Sequence, residues 1–456
     1  MNNHRSNYRI FRKKLGFTLA LLTIYLPIFS PNLVFAESET NSLLTEIKKQ
    51  LKKLKNEQAV LEKRLEEIED KEKTRQLMTQ TTSQPIANGS DNQLKIGLSG
   101  LFAGGFSSVD NNDLENLQAG GHDPNRNGFT VQNVELSINS TVDPYFDAQA
   151  NIIFLIDQDG ETVVELEEAF FTTRALSSGL QVKAGQYFTE FGRLNPMHPH
   201  RWDFVDQPVI LSRLFGGDGL RSQGARVSWL MPTDWYSELI IGAQNAKGET
   251  VASFLFEEDE VIAGHLLGER SARNFSDLLF SARWLNSVDF SDSTSFNFGL
   301  SGLSGPNSSG KTTNTSIVGA DAFLKWHPDY SQRGFPFVSW HTEWLSRRYE
   351  ANDRGNFNRE VLTDSGFFSQ LLWGFELDWI AGLRFENTHA NGDNLLDPLR
   401  DKRRRLSANL TWRLSEFSKL RLQYNRDWAE HLEEDTADSL ILQMEFSLGS
   451  HMAHKF

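Results

Sequence analysis

The segment Thr189 to Gly224, TEFGRLNPMHPHRWDFVDQPVILSRLFGGDGLRSQG, is dense in side chains able to do chemistry. It holds His198, His200, Asp203 and Asp206, together with Arg201, Trp202, Arg213 and Arg221. Imidazole nitrogens and carboxylate oxygens suit a divalent metal such as zinc, and His198, His200 and Asp203 form the candidate ligand set. The spacing is not the His-x3-His of a helical site, and the chain has no Cys to support one. The more ordinary reading is polar lining and packing around Trp202 and Phe204. The middle of the segment, with Pro208, Val209, Ile210, Leu211, Leu214 and Phe215, demands burial. A stretch this long and apolar does not hang free in water, so it is expected to fold inward as a constriction loop.

Catalysis finds no support. There is no Gly-x-Ser-x-Gly, no phosphate-cradling Gly-rich loop and no His-Glu-x-x-His. The run SGPNSSGKTT (Ser304 to Thr313) has the wrong glycine spacing for a phosphate loop and reads as a surface loop. Glu167 and Glu168 are adjacent, and a regular strand points neighbours to opposite faces. The chain is therefore expected not to be an enzyme and to need no cofactor.

The elements that position these groups follow from hydrophobic period. From Leu94 onward, apolar residues recur at every second position. Examples are Phe146, Ala148, Ala150, Ile152, Phe154 and Ile156; Val318, Ala320, Ala322, Leu324 and Trp326; and Leu440, Leu442, Met444, Phe446 and Leu448. Each reads as a strand with one apolar and one polar face. Short turns at 142–147, 231–236, 288–295 and 414–419 alternate with long polar loops at about 189–223, 246–274, 303–315, 347–363 and 387–403. That alternation, with Trp229, Trp235, Tyr236, Trp326 and Trp412 near strand ends, predicts an up-and-down transmembrane barrel of about 16 antiparallel strands. The last strand carries the same parity on to Phe456, as outer-membrane proteins of Gram-negative bacteria show. It is expected to close the barrel against the first strand.

The chain of 456 residues carries a net charge of −14 and no Cys. Its mean hydropathy of −0.44 is that of a soluble protein, which a barrel with a narrow apolar band also gives. Residues 1–36 read as a cleaved signal peptide: a basic start, the apolar run GFTLALLTIYLPIF, and Val34 and Ala36 ahead of the cut. Losing its five basic residues and no acids takes the charge from −14 to −19, which excludes nucleic acid as a default partner. Residues 37–78 are expected to form a periplasmic coiled coil. Leu44, Leu51, Gln58 and Leu65 occupy one heptad position, and Ile47, Leu54, Leu61 and Ile68 the other. Residues 79–93 are polar and read as a linker, and 94–456 as the outer-membrane barrel.

If the apolar parity faces lipid, the other parity faces the lumen. It carries Lys183, Arg226, Arg283, Lys325, Arg384, Arg405, Arg413 and Arg421 as the expected selectivity residues. It also carries Glu135, Asp147, Asp321, Glu343, Glu386 and Glu445. Basic groups facing acids across a constriction select ions by charge, whereas mutually paired wall charges select little; both readings stand.

The stretches AGQYFTEFGRLN and GLRSQGARVSWLMP, behind a signal peptide and short coiled coil, resemble the phosphate-selective porin O and P type of outer-membrane channel. The run from Gly185 to Thr250, with the ending LGSHMAHKF, resembles still more a proteobacterial branch labelled zinc-regulated or TonB-dependent outer-membrane protein. No plug domain of a TonB-dependent receptor is seen. The resemblance implies a porin passing small hydrophilic solutes or ions, including anions such as phosphate. A receptor for zinc or a metal complex is the alternative, and an envelope tether through the coiled coil a third. The expected partners are outer-membrane lipid and lipopolysaccharide, further copies of the chain in a trimer, and peptidoglycan.

Overall fold

Period-2 patterning leaves each strand with an apolar face to bury or to give to lipid, and the chain resolves this by closing one sheet on itself. The computed structural model describes Lys49, Lys52 and residues 94–449 apart from 158–159, 175, 257–260, 264, 330, 353–358, 392–396 and 398–399. The signal peptide, the linker, the terminal Phe456 and, apart from Lys49 and Lys52, the coiled coil expected above lie outside these residues. The chain divides into two units, residues 1–88 and 89–456, and the barrel belongs to the second.

Sixteen antiparallel strands form a closed barrel. They are β1 (Lys95–Ser107), β2 (Gly128–Thr141), β3 (Phe146–Ile156), β4 (Thr162–Thr173), β5 (Leu180–Phe188), β6 (Arg221–Leu230), β7 (Tyr236–Gln244) and β8 (Leu279–Ser291). The second half comprises β9 (Thr294–Pro306), β10 (Asn314–Trp326), β11 (Phe337–Ala351), β12 (Glu360–Glu376), β13 (Trp379–Ala390), β14 (Arg403–Ser415), β15 (Ser418–Ala429) and β16 (Thr436–Gly449). Each strand pairs with its neighbours in sequence, and β1 pairs with β16 in a register that sets Leu98 against Leu448 and Ala103 against Gln443. Closure leaves no free edge, which is what lets a sheet sit in hydrocarbon. No helix among the described residues is long and apolar enough to cross a membrane.

The two faces separate by parity. On β16, Leu440, Leu442, Met444 and Leu448 are exposed, while Ile441, Gln443 and Glu445 between them are buried. Trp229, Trp326, Trp373 and Trp412 are exposed near the short-turn end, where an interfacial aromatic ring belongs. Trp379 stacks on Trp412 at 5.6 Å across β13 and β14. The opposite end carries the long connections, among them 108–127, 189–220 and 245–278.

The inner face is not uniformly polar. Leu279, Leu303, Ile317, Leu345 and Phe368 project inward from β8 to β12 and form one apolar cluster with Phe191, Ile210, Leu211, Leu214 and Phe215 of the 189–220 loop. The loop fills part of the lumen, and these wall positions are apolar because they pack against it. β12 shows little alternation in sequence because its inner face carries Leu362, Phe368 and Leu372: Phe368 joins this cluster, and Leu362 packs instead with Ala263 and Leu267 of the 245–278 connection.

Candidate functional site

The site is the lumen and the loop that narrows it. A three-residue 3₁₀ turn at Pro199–Arg201 and helix α1 (Val209–Phe215) give the loop its shape. Every residue of the helix is buried. Its first N–H, that of Val209, donates to Glu386 Oε2 at 2.7 Å, so a wall carboxylate satisfies the helix start. At the near end, Glu343 Oε1 accepts from the backbone N–H groups of Arg193 and Leu194 at 2.9 and 2.7 Å. The chain turns there through Gly192, whose φ of +59 and close approach to the Glu343 carboxylate leave no room for a Cβ.

Asp206 is the principal anchor. Its carboxylate accepts from Arg384 Nη2, from Arg405 Nη1 at 2.9 Å, from Gln423 Nε2 at 2.9 Å and from Asn425 Nδ2 at 2.9 Å. Burial alone would raise this carboxyl, but the Arg384 and Arg405 guanidiniums reverse the effect and hold it at about 2. Arg421 donates to the Trp202 carbonyl at 3.0 Å, and Asn409 to the Asp203 carbonyl at 2.9 Å. Arg384, Arg405 and Arg421 thus face inward, as parity requires, but are buried and spent on the loop.

The remaining expected lumen cations lie elsewhere. Lys183 and Arg226 share Glu190 at 3.0 Å each, and Arg283 makes a two-pronged pair with Asp321 at 2.8 and 3.0 Å. Lys325 and Arg413 are exposed toward the short-turn end, their cations 5.9 Å over Phe337 and Phe335. Of the loop residues, Trp202 is buried with its Nε1 donating to the Met197 carbonyl at 3.0 Å. Arg213 donates to the Asp401 carbonyl at 2.7 Å, and Arg221 to Glu165 Oε2 at 2.6 Å.

On the short-turn side of the loop lies a cavity of about 680 Å³. Seven basic residues and four acids line it, among them Arg193, Arg201, Arg226 and Arg283 against Glu190 and Asp321. The Arg193 guanidinium carbon sits over the Phe323 ring, 3.9 Å from its centroid. Neither Arg193 nor Arg201 has an ion pair through its guanidinium among the described residues. Burial, then the neighbouring Arg193, depresses Arg201 below the usual guanidinium value; burial is also the main cause of the same shift at Arg193.

The structure separates the metal candidates. His198 and His200 stack at 5.8 Å, but Asp203 points to Gln370 Nε2 at 3.0 Å instead. His198 Nδ1 lies 2.7 Å from Glu167 Oε2 and 3.4 Å from Glu135 Oε2, and its Nε2 lies 2.9 Å from Glu168 Oε2. His200 Nδ1 lies 2.9 Å from Glu135 Oε2. Glu135, Glu167 and His198 place ligand atoms within 4.8 Å of one another. The expectation that Glu167 and Glu168 face opposite ways is corrected. The β3–β4 register slips between Asn151 and Ile152, so Asn151 pairs with Glu168 and Ile152 with Leu166. The extra residue in this bulge is Glu167, and both carboxylates are buried. Glu167 and Glu168 were not legible as site residues, because a bulge leaves no mark in a period-2 pattern, and His122 was not, because it lies in the 108–127 connection, where no strand parity applies.

No protein-family profile matches the chain. A curated protein of Aquifex aeolicus (strain VF5), described as an uncharacterized protein, is 30% identical over 353 residues, covering 74% of this chain and 73% of that one. The chain belongs to the family of that Aquifex protein. Among solved structures, the outer membrane channel DcaP of Acinetobacter baumannii superposes with a TM-score of 0.52 over 79% of this chain and 98% of its own, at 12% identity. That likeness is one of fold: this family member has the architecture of outer-membrane barrel proteins. OmpT of Vibrio cholerae in its trimer form aligns with a TM-score of 0.49 at 7% identity, over 79% of this chain.

Proposed function

We propose that the chain is an outer-membrane porin of a Gram-negative bacterium that passes small hydrophilic solutes by diffusion, with a preference for anions. The observation that carries this is the pairing of a closed, outwardly apolar barrel with a charged cavity narrowed by the 189–220 loop. A water-filled lumen with focused charge is what a diffusive, ion-selective passage requires. The preference for anions rests on Arg193 and Arg201. Their guanidiniums reach the cavity without a carboxylate partner among the described residues, so an anion such as phosphate would complete them by two-pronged hydrogen bonds. A trimer, lipid and lipopolysaccharide contact, and a coiled coil at 37–78 reaching toward peptidoglycan belong to the same reading.

The test is single-channel conductance of the purified protein in a planar bilayer, with the reversal potential read across a salt gradient. Discrete steps and a reversal of anionic sign are expected. Protein that is folded by its heat-modifiable gel shift and yet shows no conductance would overturn the reading. A reversal of cationic sign would leave a porin and remove the anion preference.

A further inference from the structure

We propose that His198, Glu135 and Glu167, with His122 as fourth donor, form a buried binding site for a divalent transition-metal cation of the zinc type. The cation would tie the folded-in loop to the barrel wall.

His122 Nδ1 lies 3.3 Å from the Gln132 carbonyl, which can only accept, so this nitrogen carries the hydrogen. The His122 Nε2 lone pair is then left buried with no hydrogen-bond partner, and it faces Glu167 Oε1 at 3.9 Å. Glu167 Oε1 is itself a buried acceptor without a donor. His198 repeats the arrangement. Its Nε2 meets the Glu168 carboxylate at 2.9 Å and so donates there, which turns Nδ1 to Glu167 and Glu135. Ligand atoms of His198, Glu135 and Glu167 therefore lie within 4.8 Å of one another, and His122 Nε2 approaches the same group through the other oxygen of Glu167. Among the described residues no Lys or Arg lies within ion-pair distance of Glu135, Glu167 or Glu168, and the groups that face them there are the imidazoles of His122, His198 and His200. Burying such a cluster uncompensated is costly, and a divalent cation supplies both charge and coordination.

The chemistry of the donors narrows the ion. Two imidazole nitrogens with two carboxylates favour zinc or a similar first-row cation over calcium or magnesium, which prefer oxygen alone. Glu168, on the far nitrogen of His198, is the outer carboxylate that fixes ring orientation in such sites. The donors come from separate pieces of chain. His122 belongs to the 108–127 connection, Glu135 to β2, Glu167 to the bulge of β4, and His198 to the folded-in loop. One ion would hold all four together.

The site does not depend on the porin reading, and its test reads metal content rather than conductance. Full-length protein purified on a tag free of histidine is stripped with a chelator, reloaded with Zn²⁺ and desalted. Elemental analysis should find about one zinc per chain, and X-ray absorption a shell of nitrogen and oxygen with imidazole scattering. Glu167→Gln and His122→Ala should each lower the zinc retained after desalting, and Glu168→Gln, which removes the outer carboxylate, should weaken binding by about 10- to 100-fold. His389→Ala, at a β13 histidine hydrogen-bonded to Ser365 of β12, should not change it. A folded wild type that retains no zinc would overturn the site, and would mean that imidazolium protons balance the carboxylates instead. Undiminished zinc in both ligand variants would overturn it too. If the variants do not fold, the wild-type stoichiometry and absorption spectrum decide alone.

Discussion

Asp206 shows how much one carboxylate can organise when every donor around it is buried. Arg384 also holds Glu386 at 2.8 Å and Arg405 also holds Asp427 at 2.9 Å, so removing the Asp206 charge loses its own buried charge-assisted hydrogen bonds, each worth about 1.5–3 kcal/mol, without leaving the guanidiniums bare. Asp206→Asn is expected to free the loop, raising single-channel conductance and lowering the temperature of the heat-modifiable transition. Unchanged conductance in a folded variant would show that the loop is held elsewhere. The same group sets a pH dependence. Its folded carboxyl is held at about 2, below the ordinary 3.8. Its contribution is therefore complete above the unfolded value and is lost as pH falls through about 2. Loop closure carried by Asp206 should not weaken between about pH 7 and about pH 5; because burial and the Asp206 charge push the neighbouring Asp123 up to about 7, conductance traces of Asp123→Asn at the two values test this. Arg193 and Arg201 are argued to act on the solute rather than the fold. Replacing both by Glu should reverse the sign of the reversal potential while leaving the gel shift intact.

At the scale of elements, the loop and the wall opposite it are one packing unit. Ile210 is fully buried and belongs to the same cluster as Phe368, and a Cβ placed on Gly366 would lie 3.0 Å from Ile210 Cδ1. Ile210→Ala should cost about 2–5 kcal/mol, measured as a lowered midpoint in thermal unfolding in detergent. It should also increase open-channel noise, since α1 would lose its seat. The need of Pro208 to Phe215 for burial was legible in sequence, because an apolar run inside a long loop has nowhere else to go. Its seat was not, because Leu279, Leu303, Ile317, Leu345 and Phe368 read as exceptions to strand parity until the loop is placed against them. The bulge in β4 is the other illegible element. Two adjacent glutamates read as opposite-facing, and only the β3–β4 register brings both inside.

At the scale of the molecule, the barrel is a compact unit at 89–456. A chain lacking residues 1–88 is expected to refold in detergent with full heat-modifiability, because each strand from β1 to β16 finds both partners within that unit. Failure to refold would assign the N-terminal residues a part in barrel assembly. The sequence by itself determined the architecture: period 2 over many segments, short turns alternating with long loops, and aromatic residues at strand ends leave a closed membrane barrel as the consistent solution. It determined which parity faces inward too, since a strand has only two faces. The tertiary structure decided what the inward residues do. Arg384 and Arg405 read as wall charges like Lys183, yet they clamp Asp206 from strands nearly two hundred residues away in the chain. His198 reads as a partner of His200 and Asp203, yet it meets Glu135 and Glu167. Partners across a barrel are set by shear and loop path, and these are properties of the closed sheet that no local spacing encodes.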